Sequence, residues 1–547
     1  MVFCWFTSPS GGVYTTHSLL LFLIDLGPVV HTIPFFISST SSHLPRSQEM
    51  LLILTCTFLT ISDTAKVIFN GMHSSDSHIA SMLPLATRLA KEQHVVHFLE
   101  TNTKPSHFNY PNNITFTHVE LQKDPFFVSC FLKVMWIKIF SSIEFPRIWE
   151  TGDKAFVEML DQHPEKINKV MNESWDLVVA DELFAVASYA LAMKAYNSRK
   201  PFVTLSTCIP TNLIKYYFAL GTPFSHRPSM YHRLAIPYRI EQFASRLYSV
   251  LHETYQAIRT QHVTRNVAVK GLHKVGIYNF DFSKLATHSA YHFLEDIDSL
   301  VYPSPVSTAI VEVGFYCRKA KELPNDYEKF INDPTSKGTI LVAFGSNVIW
   351  DYAPPDIMAA MLGAINRLSD YRVVFAYNGN MERVRFLDSH VKVTRWAPQK
   401  DILAHKKTVV FVSHGGLKSV KDTICGAVPV VYIPLFAEQS HNCEMARAAG
   451  FAEVLHKSRL TADVIERAVR KVAETPRYKE SVIRINTFYR DRIMPSLDIA
   501  EFYVRRALKT SPRLPIFKPK GMYMSLFSHI HCENLLISAL ILYILCQ

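Results

Sequence analysis

His414-Gly415-Gly416 directly follows the apolar run TVVFVS (408–413) and precedes a segment with helical character that begins near Leu417. Strand, glycine turn and helix start together form a general phosphate-binding geometry, because free N–H groups and the positive end of the helix dipole converge there. Glycine lets the backbone approach closely, and the His414 imidazole and the Ser419 hydroxyl can donate further hydrogen bonds. Upstream, Trp396 offers a planar ring for a planar base. Downstream, the run VPVVYIP leads to an acid-amide pair, Glu438-Gln439, suited to the hydroxyls of a sugar. These are the parts needed to hold a nucleotide diphosphate with a sugar attached. Taken alone, His-Gly-Gly reads equally well as a tight turn with a surface histidine.

The elements that must position these groups alternate strand and helix patterns in two regions, as doubly wound α/β domains do. The first has the strands AKVIFNG (65–71), HVVHFLE (94–100), LVVA (177–180) and PFVTLST (201–207), with a helix from about His78 to Lys91. Residues from about 210 to 290 are rich in aromatics and histidine and read as a helical elaboration. The second region has GTILVAFGS (338–346), a continuous apolar run expected of a parallel strand covered on both faces. After Pro355, apolar residues at 357, 358, 361, 362, 365 and 368 repeat with a helical period. Thr461 is placed to cap a helix whose apolar face is Val464, Ile465, Ala468, Val469 and Val472. The stretch YPSP (302–305) reads as the linker between the regions. The expected fold is α/β, with two facing Rossmann-like domains that bind ligands at the carboxyl ends of their strands.

At 547 residues the chain exceeds one compact core, and its 48% hydrophobic and 19% charged composition is globular. No short-period repeat interrupts it. Its formal charge of +11 comes from scattered basic residues with a modest cluster near the C-terminus, which argues against a nucleic-acid partner. The nine cysteines show no Cys-x-x-Cys or other zinc spacing, so no metal is expected; one or two disulfides are compatible with their number. Met50 to Ile61 (MLLILTCTFLTI) has the length and character of a signal-peptide core. The sequons Asn113-Ile-Thr and Asn172-Glu-Ser fit a lumenal chain. The apolar run LLISALILYILC (535–546) is shorter than the ~20 residues a spanning helix needs.

The stretch from Trp396 to Gln439 resembles the donor-binding signature of the UDP-glycosyltransferases, an inverting family with two facing Rossmann-like (GT-B type) domains. Its 44 residues match the length of the donor box in the family's plant branch. The likeness runs from about Lys66 to Lys509 and is nearest to animal lumenal members, which often end in a membrane helix. It implies that Trp396 stacks on uracil with Gln399 near the ribose, and that Ser346, His414, Gly416 and Ser419 bind the diphosphate. Asp422 stands where the family usually has Glu for the ribose hydroxyls, and Glu438 and Gln439 meet the sugar. Two departures stand out. Lys418 replaces the Asn of His-x-Gly-x-Asn-Ser, and its ammonium either aids the phosphate or clashes with it. Asp422 is one methylene short of Glu.

The resemblance further implies that His78 deprotonates the acceptor hydroxyl and that Asp181 orients it, with Asp176 and Glu182 as nearby alternatives. An imidazole titrating near 6.5 suits that task. The implied activity moves glucuronic acid or glucose from UDP-glucuronic acid or UDP-glucose, as co-substrate, to a small lipophilic acceptor. No cofactor is permanently bound. The alternative is a catalytically impaired member that binds UDP-sugar or a lipophilic ligand without turnover. A dinucleotide oxidoreductase would require Gly-x-Gly-x-x-Gly after the first strand, and AKVIFNGMHSSDSH has one glycine there.

The expected organisation is an extension outside the fold (1–49), a signal peptide (50–65), an acceptor-binding domain (66–300) and a UDP-sugar-binding domain (301–490). A helix packing back (491–510) and a tail with a shortened membrane anchor (511–547) follow. The implied location is the endoplasmic reticulum lumen, membrane-associated, with an oligomer compatible.

Overall fold

The computed structural model describes residues 64–545, apart from 107, 123, 126–131, 139–140, 220–223, 233–236, 304–305, 510–519, 525–527 and 529–531. The N-terminal extension (1–49) and residues 50–63 of the expected signal peptide lie outside the described residues; Ala65, its last residue, is buried in the first core.

Seven strands build the first sheet: β1 (Lys66–Asn70), β2 (Val95–Asn102), β3 (Ile114–Glu120), β4 (Leu177–Asp181), β5 (Phe202–Ser206), β6 (His292–Leu294) and β7 (Ile310–Glu312). Their order is β3-β2-β1-β4-β5-β6-β7, and every pairing is parallel. The second sheet holds β8 (Thr339–Ala343), β9 (Arg372–Ala376), β10 (Val391–Thr394), β11 (Thr408–Ser413), β12 (Val430–Tyr432) and β13 (Ala452–Val454). It is ordered β10-β9-β8-β11-β12-β13 and is also parallel throughout. In each sheet the order reverses once, between β1 and β4 and between β8 and β11. A crevice opens at such a switch point because successive helices cross to opposite faces.

The strands are apolar on both sides because both faces are covered. Ile340 and Val342 of β8 pack with the helices Pro355–Arg367 and Ala462–Glu474; Leu341 and Ala343 face the helices Leu417–Gly426 and Gln439–Ala448. The Thr461 hydroxyl accepts from the Val464 amide at 3.2 Å and starts the Ala462–Glu474 helix as expected. The 210–290 region is helical, its longest element being Phe243–Asn266.

Two connections depart from the sequence reading. Tyr302–Pro303 lies between β6 and β7, two paired strands of one sheet, so YPSP is not the linker. The crossing to the second sheet comes after Glu312, and the local proline signal is overridden by backbone pairing of a three-residue strand. The second difference is the Val134–Ile137 helix, which belongs to the first region in sequence yet packs in the core of the second. There Trp136 lies 5.1 Å from Trp350, and its indole N–H donates to the Ile349 carbonyl at 3.3 Å. The Ser496–Lys509 helix returns to the first sheet, burying Ala500, Val504 and Ala507. Cys317 and Cys425 form a disulfide that ties the crossing segment to the Leu417–Gly426 helix.

Candidate functional site

The loop after β1 leads into the Asp76–Lys91 helix, whose third residue is His78, and β4 ends at Asp181. Both therefore flank the switch point of the first sheet. His78 Nδ1 is hydrogen-bonded to Asp181 Oδ2, and both side chains are buried. The carboxylate is fixed by the Met72 amide at 3.0 Å and the Leu183 amide at 3.1 Å. With three anchors it cannot turn away from the ring, and a ring that donates from Nδ1 to a carboxylate leaves Nε2 as the basic nitrogen. The Thr207 hydroxyl lies 2.7 Å from Nδ1, and the Cys208 thiol lies 3.7 Å from Nε2. Burial holds that thiol well above its ordinary pKa, so it is a neutral neighbour of the imidazole.

Of the alternatives, Asp176 binds Lys200 at 2.7 Å, away from the ring. Glu182 is buried and pushed up to about 8 by desolvation; it accepts from the Ser206 hydroxyl at 2.8 Å. Neither touches His78.

The second switch point carries the loops after β8 and β11. Gly345 has φ +71°, and a methyl group there would meet the His414 ring at 3.0 Å. Gly415 has φ +85°, and any Cβ would lie 2.3 Å from Cys443 Sγ. Only glycine suits both positions. The Leu417–Gly426 helix starts at Gly416, so the amides of its first turn have no partner within the helix. His414 is pulled down to about 4 by burial and is neutral at physiological pH. Ser346 sits half-buried after β8, and Ser419 is buried in the first helical turn.

Trp396 is 74% exposed after β10. Gln399 donates to Asp422 Oδ2 at 2.8 Å, joining the two groups expected near a ribose. Glu438 precedes the Gln439–Ala448 helix; burial raises its carboxyl, while the charges of Lys418 and His78 oppose the shift. Gln439 begins that helix. Its side-chain oxygen accepts from the Leu435 and Phe436 amides at 2.8 and 3.2 Å, so only its NH2 group is left for a ligand.

Lys418 brings the two halves together. From the second sheet's helix, its ammonium donates to the Thr207 carbonyl and lies 3.6 Å from Glu295, both at the carboxyl edge of the first sheet. Sequence reasoning missed Thr207, Cys208, Glu295 and Lys421. Thr207 ends the run PFVTLST and Cys208 follows it, at a strand's carboxyl end, a signal that could have found them.

Two parallel Rossmann-like sheets, each with a single switch point, define a GT-B type fold. Residues 65–510 match the family described as UDP-glucoronosyl and UDP-glucosyl transferase, and the chain belongs to that family. It is 27% identical over 319 residues to UDP-glucuronosyltransferase 1A6 of Mus musculus, covering 56% of each chain. It is 26% identical to a UDP-glucuronosyltransferase of Pleuronectes platessa, over 75% of this chain and 84% of that one. Thus the matched stretch spans little more than half of the mouse relative and most of the fish one. Among solved structures, Phytolacca americana UGT2, complexed with UDP-2fluoro-glucose and pterostilbene, superposes with a TM-score of 0.53 at 14% identity. That match covers 81% of this chain and all of the other.

Proposed function

We propose that this chain is an inverting UDP-glycosyltransferase that moves glucuronic acid or glucose from a UDP-sugar to a hydroxyl of a small lipophilic acceptor. The observation that carries the reading is the buried His78–Asp181 pair at the first switch point, opposite the glycine turn of the second. The acceptor hydroxyl gives its proton to His78 Nε2 as its oxygen attacks the anomeric carbon. Asp181 keeps the proton on Nδ1 beforehand and stabilises the imidazolium that forms. The bond from the anomeric carbon to the β-phosphate oxygen breaks through an oxocarbenium-like state, with the electron pair staying on the phosphate. The N-terminal amides of the Leu417–Gly426 helix stabilise that charge. Trp396 stacks on uracil, Gln399 and Asp422 hold the ribose, Ser346, His414 and Ser419 bind phosphate oxygens, and Glu438 with the Gln439 amide meets the sugar.

The names of the mouse and fish relatives favour glucuronic acid over glucose as the transferred sugar. The Cys317–Cys425 disulfide and the exposed sequon asparagines, Asn113 and Asn172, support an oxidising lumenal compartment, the endoplasmic reticulum. Membrane association is assigned to the apolar, exposed Cys532–Leu545 helix. Among the described residues no helix is long and apolar enough to cross a membrane.

The test is UDP release by purified protein, with UDP-glucuronic acid and UDP-glucose in competition, against a panel of lipophilic alcohols. Acceptor-dependent release from one donor supports the reading and names the sugar. Tight UDP binding without release from either donor identifies an impaired member that still holds UDP-sugar, and no binding of UDP rejects both the transferase and that form.

A further inference from the structure

Glu295 lies one residue past β6 and is buried. Four groups converge on its carboxylate. The Ser81 hydroxyl donates at 2.6 Å and the Tyr316 hydroxyl at 3.4 Å, while the ammonium groups of Lys421 and Lys418 lie at 3.4 and 3.6 Å. Ser81 is on the helix that carries His78. Lys418 and Lys421 stand three residues apart on the Leu417–Gly426 helix, on one of its faces. Two cations therefore share one carboxylate, and the local balance is positive.

A cavity of about 460 Å³ opens on these groups. Its lining has six basic side chains, Arg318, Lys319, Lys400, Lys418, Lys421 and Arg490, against the two carboxylates Glu295 and Asp422. Such a cleft suits a multiply charged anion, and it abuts the glycine turn through Lys418. An ammonium has three N–H donors. Lys418 directs one at the Thr207 carbonyl and one toward Glu295, which leaves a donor for a ligand oxygen.

We infer that Lys418 and Lys421, positioned by Glu295, form a paired-ammonium cradle for the diphosphate of the nucleotide sugar. The inference rests on the glycosyl-transfer reading above. As the anomeric bond breaks, the electron pair remains on the β-phosphate oxygen and the cradle takes up the added charge. The acceptor's proton goes to His78, so atoms and charges balance. Lys418 thereby does with a fixed positive charge what a neutral Asn at that position does with a dipole. Glu295 is a positioning residue that acts through the two lysines.

Titration calorimetry with UDP and with uridine, combined with steady-state kinetics, tests the cradle. Lys418→Asn and Lys421→Met should each weaken UDP about 10- to 100-fold, the worth of one charge-assisted hydrogen bond, and leave uridine within about twofold. In both variants kcat should fall as KM for the UDP-sugar rises, and Lys418→Arg should restore part of each. By charge alone, Glu295→Gln would tighten anion binding; a positioning role predicts the opposite, about tenfold weaker UDP with uridine unchanged. UDP affinity equal to wild type in both lysine variants overturns the cradle. Equal losses for UDP and uridine overturn it too, because they mark a general structural defect, and tighter UDP binding in Glu295→Gln removes Glu295 from it. Wild-type protein that neither binds UDP nor releases it defeats the glycosyl-transfer reading itself, and the cradle falls with it.

Discussion

His78 has its tautomer set by a carboxylate that is itself held by two backbone amides, so the proposed general base is defined by four groups, not one. His78→Ala should lower turnover by about 10²-fold or more, read as UDP release at saturating donor. Asp181→Asn keeps the shape but lets the ring adopt the other tautomer, and kcat should fall by about 10²-fold or more with the KM for the UDP-sugar little changed. Wild-type turnover in either variant would remove that residue from the mechanism. Glu182, next in sequence, has a different role. Burial raises its folded-state value to about 8 from an ordinary 4.5, so the folded chain holds a proton there that the unfolded chain releases. Its contribution to stability is complete below about pH 4.5 and is lost as pH rises through about 8. Glu182→Gln retains the acceptor for Ser206 and should flatten the fall in Tm between about pH 5 and pH 9.

The loops after β8 and β11 depend on backbone conformations that side chains rarely adopt. Gly415→Ala meets both a left-handed φ and the Cys443 sulfur, so it should cost about 1–3 kcal/mol in thermal unfolding and weaken UDP binding. Elements of this kind were legible in the sequence for a physical reason. β8, β11 and β4 are buried on both faces and therefore read as continuous apolar runs, and glycine or a polar residue at their ends marks the turn. His414, which follows β11, is placed by that logic, whereas the roles of His78, Asp181 and Ser346 come from the family resemblance. β6 and β7 have three residues each, too short to show a period. Consequently Glu295 was missed, and a proline pair drew the boundary to 302–305. Nor does periodicity reveal that Trp136 leaves its own region for the core of the other; that contact depends on packing across 213 residues of sequence.

Across the whole molecule, the Cys317–Cys425 bridge closes a loop with a sequence separation of 108 that contains most of the second sheet. The chain-entropy model assigns about 4–5 kcal/mol to a loop of this length. Reduction should lower Tm measurably, and the double variant Cys317→Ser with Cys425→Ser should show the lower Tm with no further response to reductant. An unchanged Tm on reduction would mean that the bridge adds little beyond the packing around it. Apart from the Val134–Ile137 excursion, the described chain passes between the two sheets after Glu312 and before Ser496, and these two passages are bound to each other. Tyr489 donates to the Gly314 carbonyl at 2.7 Å, Ser496 to the Phe315 carbonyl at 2.9 Å, and the Arg492 guanidinium stacks 3.4 Å from the Phe315 ring. Two straps fastened side by side make one seam, and the Val134–Ile137 helix, seated in the second core, is a further tie between the halves. Held at both places, the halves keep the Lys418 ammonium against the Thr207 carbonyl and beside Glu295, across the cleft from its own sheet.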